Sequence, residues 1–259
     1  LSAAAIGEAA VETLFSDRIE SGARIDFDPA TGAVRARRGR RLGAITLTEG
    51  QDGGASPDEI AAALVEGVRV HGLGLLPWSG SAHALRRRAA FARRHDPSLP
   101  DFSDQALLAA LDDWLPLLVA GRRSLGEIDA AALTGLLETR LGWDGRKAVD
   151  RLAPEAFETP AGSRHAIDYE GEAGPTLTVR VQALFGLARH PEIAGVPLVL
   201  SLTSPAGRPI QTTRDLPGFW KGSWAAVAKE MRGRYPKHPW PDDPASAAAT
   251  LRTKKASAR

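Results

Sequence analysis

The chain has 259 residues, 43% of them hydrophobic and none of them Cys, with a formal net charge of +2. That length holds two small domains. The absent thiols exclude disulfides and thiolate metal sites and fit a cytoplasmic protein, and no run of about 18 apolar residues is present to span a membrane. The near-neutral total hides an asymmetry. Residues 208–259 carry 11 Lys or Arg against 4 Asp or Glu, whereas residues 1–207 carry 22 against 27. A basic end on a near-neutral body points to a local polyanion contact; a solvated basic tail is the plain alternative.

In chain order, Ile6, Ala9, Ala10 and Leu14 share a helical face, which predicts a short helix over 6–15. Alternation over 24–28 and 33–37, joined by Pro29-Ala30-Thr31-Gly32, is a hairpin signature. Residues 44–48 read as a third strand, and 51–55 as a linker. Ser56-Pro57-Asp58-Glu59 then spells an N-cap, a Pro at the first helical position and a capping-box Glu. That helix uses Ile60, Leu64 and Val68 and ends near His71-Gly72. Further helices are predicted over 81–94, from Ser103 through Leu107, Leu111, Leu115 and Leu118, and over 129–141, where Gly142 stops the last one.

After Pro154 the pattern changes to strands, over 163–169, 176–181 and 196–202. Residues 208–213 are expected to pair with the last of these across Ser204-Pro205-Ala206-Gly207. An amphipathic helix over 223–232 uses Trp224, Val227, Ala228 and Met231. Residues 241–259, rich in Pro, Ala and Lys, are expected to fray. Helices and strands in separate runs make the fold class α+β.

Three basic clusters stand out. Arg35, Arg37, Arg38, Arg40 and Arg41 have no acid between them, and Arg35 and Arg37 share one strand face. They suit either phosphate contact or a charge-guarded hairpin edge. The second cluster is Arg86, Arg87, Arg88, Arg93 and Arg94, of which Arg86, Arg87, Arg93 and Arg94 fall within an arc of about 120° at 100° per residue; a solvent-facing helix side explains it well, and phosphate contact is the alternative. The third cluster sets Arg208, Arg214, Lys221, Lys229, Arg232, Arg234 and Lys237 among Trp220, Trp224, Tyr235 and Trp240. Trp224 sits at core spacing with Val227 and Met231. Trp220 and Trp240 flank helix ends and are expected to be freer. Cations interleaved with flat aromatics suit a nucleic-acid strand. They suit equally a C-terminal segment pinned to its domain by Trp and Pro.

Enzymatic motifs are missing. The six His show no H-E-x-x-H or other tight metal spacing, and there is no G-x-S-x-G elbow. Asp168 and Glu170 alternate on one strand face as a possible carboxylate pair, although solvent-facing strand acids are commoner.

The wording of several blocks carries a family resemblance. Thr213-Arg214-Asp215-Leu216-Pro217-Gly218-Phe219-Trp220 and Gly233-Arg234-Tyr235-Pro236-Lys237-His238-Pro239-Trp240 resemble the C-terminal end of the bacterial HrpB-type ATP-dependent helicases, a branch of the DEAH-box superfamily 2 RNA helicases. Leu75-Leu76-Pro77-Trp78-Ser79, Gly162-Ser163-Arg164-His165-Ala166-Ile167-Asp168-Tyr169-Glu170 and Val181-Gln182-Ala183-Leu184-Phe185-Gly186-Leu187 match the same family in the same order. The family's motor carries a P-loop and a D-E-x-H box on RecA-like domains. Neither is spelled here: Asp58-Glu59-Ile60-Ala61 lacks the His, and Lys221-Gly222-Ser223 has the P-loop letters in the wrong order.

The resemblance, with Leu1 rather than Met at the start, implies a non-motor C-terminal fragment that is inactive alone. It implies no cofactor here, with ATP and Mg bound by the parent's motor. It implies four segments: 1–50 as the trailing part of an OB-like barrel, 51–153 as a helical segment, 154–240 as a family-specific α+β domain and 241–259 as a flexible basic tail. The expected partners are single-stranded RNA or DNA and the parent's RecA-like motor domains, with no membrane. The expected contact residues are Arg35, Arg37, Arg38, Arg208, Arg214, Trp220, Lys221, Arg234, Tyr235, Lys237 and Trp240. The alternative is a module that docks a protein partner or braces the motor without touching nucleic acid.

Overall fold

A computed structural model describes residues 6–51 and 55–253. It mixes helices with β-sheets, as the α+β pattern predicts. The chain forms two compact units, residues 1–83 with 102–140 and residues 84–101 with 141–259. No helix among the described residues is long and apolar enough to cross a membrane.

The first unit opens with helix α1 (Glu8–Leu14) and an antiparallel meander of β1 (Ile19–Asp28), β2 (Ala33–Leu42) and β3 (Ile45–Gln51). The hairpin is longer than the alternation alone predicts: the ladder continues to Ile19–Leu42, and in the added part Glu20 is in register with Arg41, an opposite-charge pair that stabilises a ladder. Helix α2 (Pro57–His71) has the predicted capping box: Ser56 Oγ accepts from Glu59 N at 3.2 Å and Ser56 N donates to Glu59 Oε2 at 2.8 Å. It lies directly on the sheet, since a Cβ on Gly67 would sit 2.6 Å from the Phe27 ring. Helix α3 (Gly80–Arg93) begins in this unit and ends in the other.

The single helix expected after Ser103 is instead α4 (Asp104–Ala109), a 3-10 turn (Leu111–Asp113) and α5 (Leu115–Val119). Pro116 cannot donate a backbone hydrogen bond, so it is tolerated only in the first turn of a new helix. Leu107, Leu111, Leu115 and Trp114 are nonetheless all buried. Helix α6 (Ala130–Leu152) is broken at Gly142, whose φ of 64° and ψ of −179° are not helical. The expected stop is there, but a second helical stretch resumes after it.

The second unit is built on a five-stranded sheet of order β10-β9-β6-β5-β4: β4 (Ala156–Glu158), β5 (Arg164–Asp168), β6 (Thr176–Arg180), β9 (Val199–Thr203) and β10 (Pro209–Thr213). Two short strands, β7 (Glu192–Ile193) and β8 (Val196–Pro197), form a separate hairpin. The β9–β10 hairpin is as predicted, whereas β6 and β9 pair in parallel. Helices α7 (Leu216–Lys221) and α8 (Trp224–Arg234) follow. The chain beyond Trp240 is bonded back to the 3-10 turn at 181–184 and the residues after it: Gly186 N donates to Pro244 O, and Thr250 N to Gln182 O.

Candidate functional site

The aromatic part of the C-terminal cluster is a core. Asp215 caps α7 by accepting from Gly218 N at 2.9 Å, and a Cβ at Gly218 would meet the Asp215 carboxylate at 2.0 Å. Gly222-Ser223 then swings the chain into α8, so the Trp220 and Trp224 rings meet edge to face at 5.3 Å over Phe185. Trp240 closes the other side, 6.0 Å from Trp224. Each indole N–H is used internally: Trp220 donates to Leu187 O, Trp224 to Pro241 O and Trp240 to Tyr235 O, at 2.9–3.0 Å. Trp220 is only 7% exposed and Trp240 4%. The expectation that these two lie free at helix ends is therefore corrected. Each aromatic buries some 150–250 Å², and that gain outweighs leaving two indoles in water at the ends of short helices.

The cationic part divides in two. Arg180 ends β6 and is in register with Thr203 at the end of β9, which is in register with Pro209 at the start of β10. The β9–β10 turn is tight: Ser204 N donates to Arg208 O at 2.8 Å and Arg208 N to Ser204 Oγ at 3.1 Å. Ser204 Oγ in turn donates to the Tyr235 hydroxyl at 3.3 Å, and His238 N donates to Tyr235 O at 3.1 Å. One end of the sheet thus gathers Arg180, Arg208, the half-buried Tyr235 and the segment with Lys237 and His238. Burial, and secondarily the charge of Arg180, hold the His238 imidazole below its ordinary value.

Arg180, Arg208 and Lys237 are exposed and have no ion pair among the described residues, while Arg234 pairs with Glu230 at 3.0 Å. Arg214 and Lys221 lie elsewhere. Thr213 is in register with Leu200, at the opposite end of the five-residue β10 and about 13 Å away along the strand.

The other clusters are more engaged. Arg35 is 3.5 Å from Asp28, and Arg40 pairs with Glu12. Arg37 is exposed on β2, and the Arg38 side chain lies outside the described residues. In the second cluster Arg88 is buried, donating to Ala153 O, Asp150 and Glu155. Arg87 meets Glu170 at 2.6 Å, and Arg93 donates to Pro97 O at 2.7 Å.

Arg87, Arg88, Asp168, Tyr169 and Glu170 line an open groove of about 610 Å³. Asp168 Oδ1 accepts from Glu170 N, so the two acids serve the local turn rather than a shared proton. Burial pushes the Tyr169 phenol up, and its hydroxyl donates to Pro154 O at 2.7 Å. Among the described residues no three His, Asp or Glu side chains are grouped to hold a metal ion. Arg180 and His238 were not singled out from sequence. Parallel pairing of β6 with β9 brings Arg180 to the site, and no local pattern announces it.

The model of a family described as "ATP-dependent helicase C-terminal" matches residues 114–244. The ATP-dependent RNA helicase HrpB of Escherichia coli strain K12 is 42% identical over 243 residues, which cover 92% of this chain and 30% of that protein. A crystal structure of the E. coli DExH-box NTPase HrpB superposes with a TM-score of 0.71 at 39% identity, over 96% of this chain and 31% of that one. A crystal structure of the E. coli DEAH/RHA helicase HrpB gives 0.61 at 39% identity, over 86% and 29%. The chain thus spans about a third of the length of these relatives.

Proposed function

The chain belongs to the HrpB-type ATP-dependent helicase family through its C-terminal region, and from that premise we propose that it holds single-stranded RNA or DNA while RecA-like motor domains of the parent hydrolyse ATP with Mg. The observation that carries the reading is the gathering of Arg180, Arg208 and Lys237 at one end of the five-stranded sheet, exposed and without acidic partners among the described residues. Three cations, one at a strand end and two on turns, give a positive field that attracts a phosphate backbone and reads no sequence. Contact of this kind suits a cytoplasmic helicase that moves along a strand, because every nucleotide presents the same charge. In this reading residues 1–50 are the trailing part of an OB-like barrel, and Arg35 and Arg37 are a phosphate contact of the first unit in their own right.

A second reading has its own support. The buried Trp220 and Trp240 act as internal braces, which favours a module that docks a partner or steadies the motor. Binding to labelled oligouridylate across a salt series separates the two. The phosphate reading expects a log–log slope of about −0.7 per phosphate contacted on a single strand. It expects Arg208→Ala with Lys237→Ala to flatten the slope by about 1.4. A folded chain that fails to bind at low salt overturns it in favour of the brace.

A further inference from the structure

Burial of Trp220, Trp224 and Trp240 leaves the proposed nucleic-acid contact without an indole to stack on, yet one indole in the chain is open. Trp143 is 72% exposed, the only Trp, Tyr or Phe on the surface in this way among the described residues. It begins the second stretch of α6, immediately after the break at Gly142.

That stretch is firmly seated. Val149 and Ala153 are buried, and a Cβ on Gly145 would touch Leu99 at 3.6 Å. With Gly145, Val149, Leu152 and Ala153 facing inward at helical spacing, Trp143, Lys147 and Arg151 form an outward row at i, i+4 and i+8. Four residues of helix rise about 6 Å, so the row is an aromatic plate followed by two cations at regular steps. Lys147 Nζ lies 4.6 Å from the Trp143 ring centroid, and all three side chains are exposed. Two acids border the row: Asp150, which pairs with the buried Arg88, and Asp144, next to Trp143 in the chain. Hydrogen bonds from the Ser98 hydroxyl and backbone N–H, and lastly the charge of Arg151, hold the Asp96 carboxyl below its ordinary value.

We infer that Trp143 is a base-stacking site for single-stranded nucleic acid, with Lys147 and Arg151 taking the adjoining phosphates; this rests on the nucleic-acid reading above. A base has the flat π-face that an exposed indole accepts, and it needs no sequence match. The cation that now sits over the ring moves aside on its flexible stem and meets the phosphate of the stacked nucleotide.

A protein partner fits less well. Interface hot spots stand among apolar contacts that exclude water, and within its own unit Trp143 is the only large exposed hydrophobic among the described residues. The exposed side chains that follow Trp143 on its helix, Asp144, Arg146, Lys147 and Asp150, are charged.

The test measures the Kd of fluorescein-labelled oligouridylate for this chain by anisotropy, beside Trp143→Ala, Trp143→Phe, Lys147→Gln and the Arg208→Ala/Lys237→Ala pair, with the thermal unfolding of each as a folding control. Trp143→Ala is expected to weaken binding about 5- to 150-fold, the range of one base stack, at an unchanged unfolding midpoint. Trp143→Phe is expected to retain most of the affinity. Lys147→Gln is expected to flatten the salt slope by about 0.7. If Trp143→Ala binds within about twofold of the parent while the Arg208/Lys237 pair weakens, the stacking site is wrong and the phosphate reading stands. If Trp143→Ala alone weakens binding, the stacking site stands and the sheet-end contact falls. If the unsubstituted chain does not bind, both fall.

Discussion

Replacing Trp240 by Ala removes a side chain that is 4% exposed and packs 6.0 Å from the Trp224 ring. The loss divides into two parts. The Tyr235 carbonyl gives up the indole N–H at 3.0 Å but keeps the backbone N–H of His238 at 3.1 Å, so no buried acceptor is orphaned. Arg232 bonds the Trp240 main-chain carbonyl, and those contacts survive the substitution. What remains is transfer and cavity, which for a buried Trp cut to Ala is about 3–5 kcal/mol. At roughly 2–4 °C per kcal/mol for a chain of this size, the unfolding midpoint falls by about 6–20 °C. Trp240→Phe keeps most of the ring and costs about 1–2 kcal/mol. Circular dichroism melts measure both, and oligouridylate binding well below each midpoint measures function separately. The bracing role expects large thermal shifts with affinity within about twofold of the parent. A Trp240→Ala chain that melts normally yet loses tenfold or more in affinity would refute it and restore Trp240 as a stacking residue.

Gly67→Ala drives a methyl into the Phe27 ring, which a built Cβ approaches to 2.6 Å; an overpacking cost of about 1–3 kcal/mol is expected in urea unfolding, and a neutral result would show that Phe27 moves freely. Arg88→Met keeps the stem but strips the buried Ala153 carbonyl of its donor, while Asp150 and Glu155 turn to water; destabilisation of about 1–3 kcal/mol follows, read in the same assay. His238 has a folded-state value below its ordinary 6.5. The stability it contributes is therefore present above about pH 6.5 and is lost as pH falls through the folded value. Melts from about pH 7.5 to about pH 5.5 should show that decline, and His238→Gln should flatten it. If phosphate docks beside Arg180, the same imidazole gains a counter-charge, so oligouridylate binding should take up a proton and strengthen on acidification. Binding independent of pH would place the phosphate elsewhere.

Local grammar accounts for much of the architecture. Ser56-Pro57-Asp58-Glu59 spells a capping box that forms as written, Gly142 breaks its helix where expected, and Pro205-Ala206-Gly207 lies in the turn that joins β9 to β10. These features depend on a few neighbouring residues and on hydrogen bonds that close within one turn. Two elements escaped although their signals were present. Asp215-Leu216-Pro217 is an N-cap with Pro in the first turn of α7, and the exposed stretch after Gly142 keeps helical spacing through Val149, Leu152 and Ala153.

The chain's letters by themselves determined the family, the α+β class, the lack of motor motifs and a C-terminal segment rich in Trp and Arg. They left undecided which aromatics face water. Trp220, Trp240 and Trp143 are chemically alike, and each sits beside a helix end or break, yet two are sealed in a cluster with Phe185 and one stands in solvent. Nor could spacing bring Arg180 to the turn that holds Arg208, since β6 and β9 meet in parallel across an intervening stretch of chain. Burial is a property of the surface opposite a residue, and that surface comes from segments far away in the sequence. Only the folded chain assigns it.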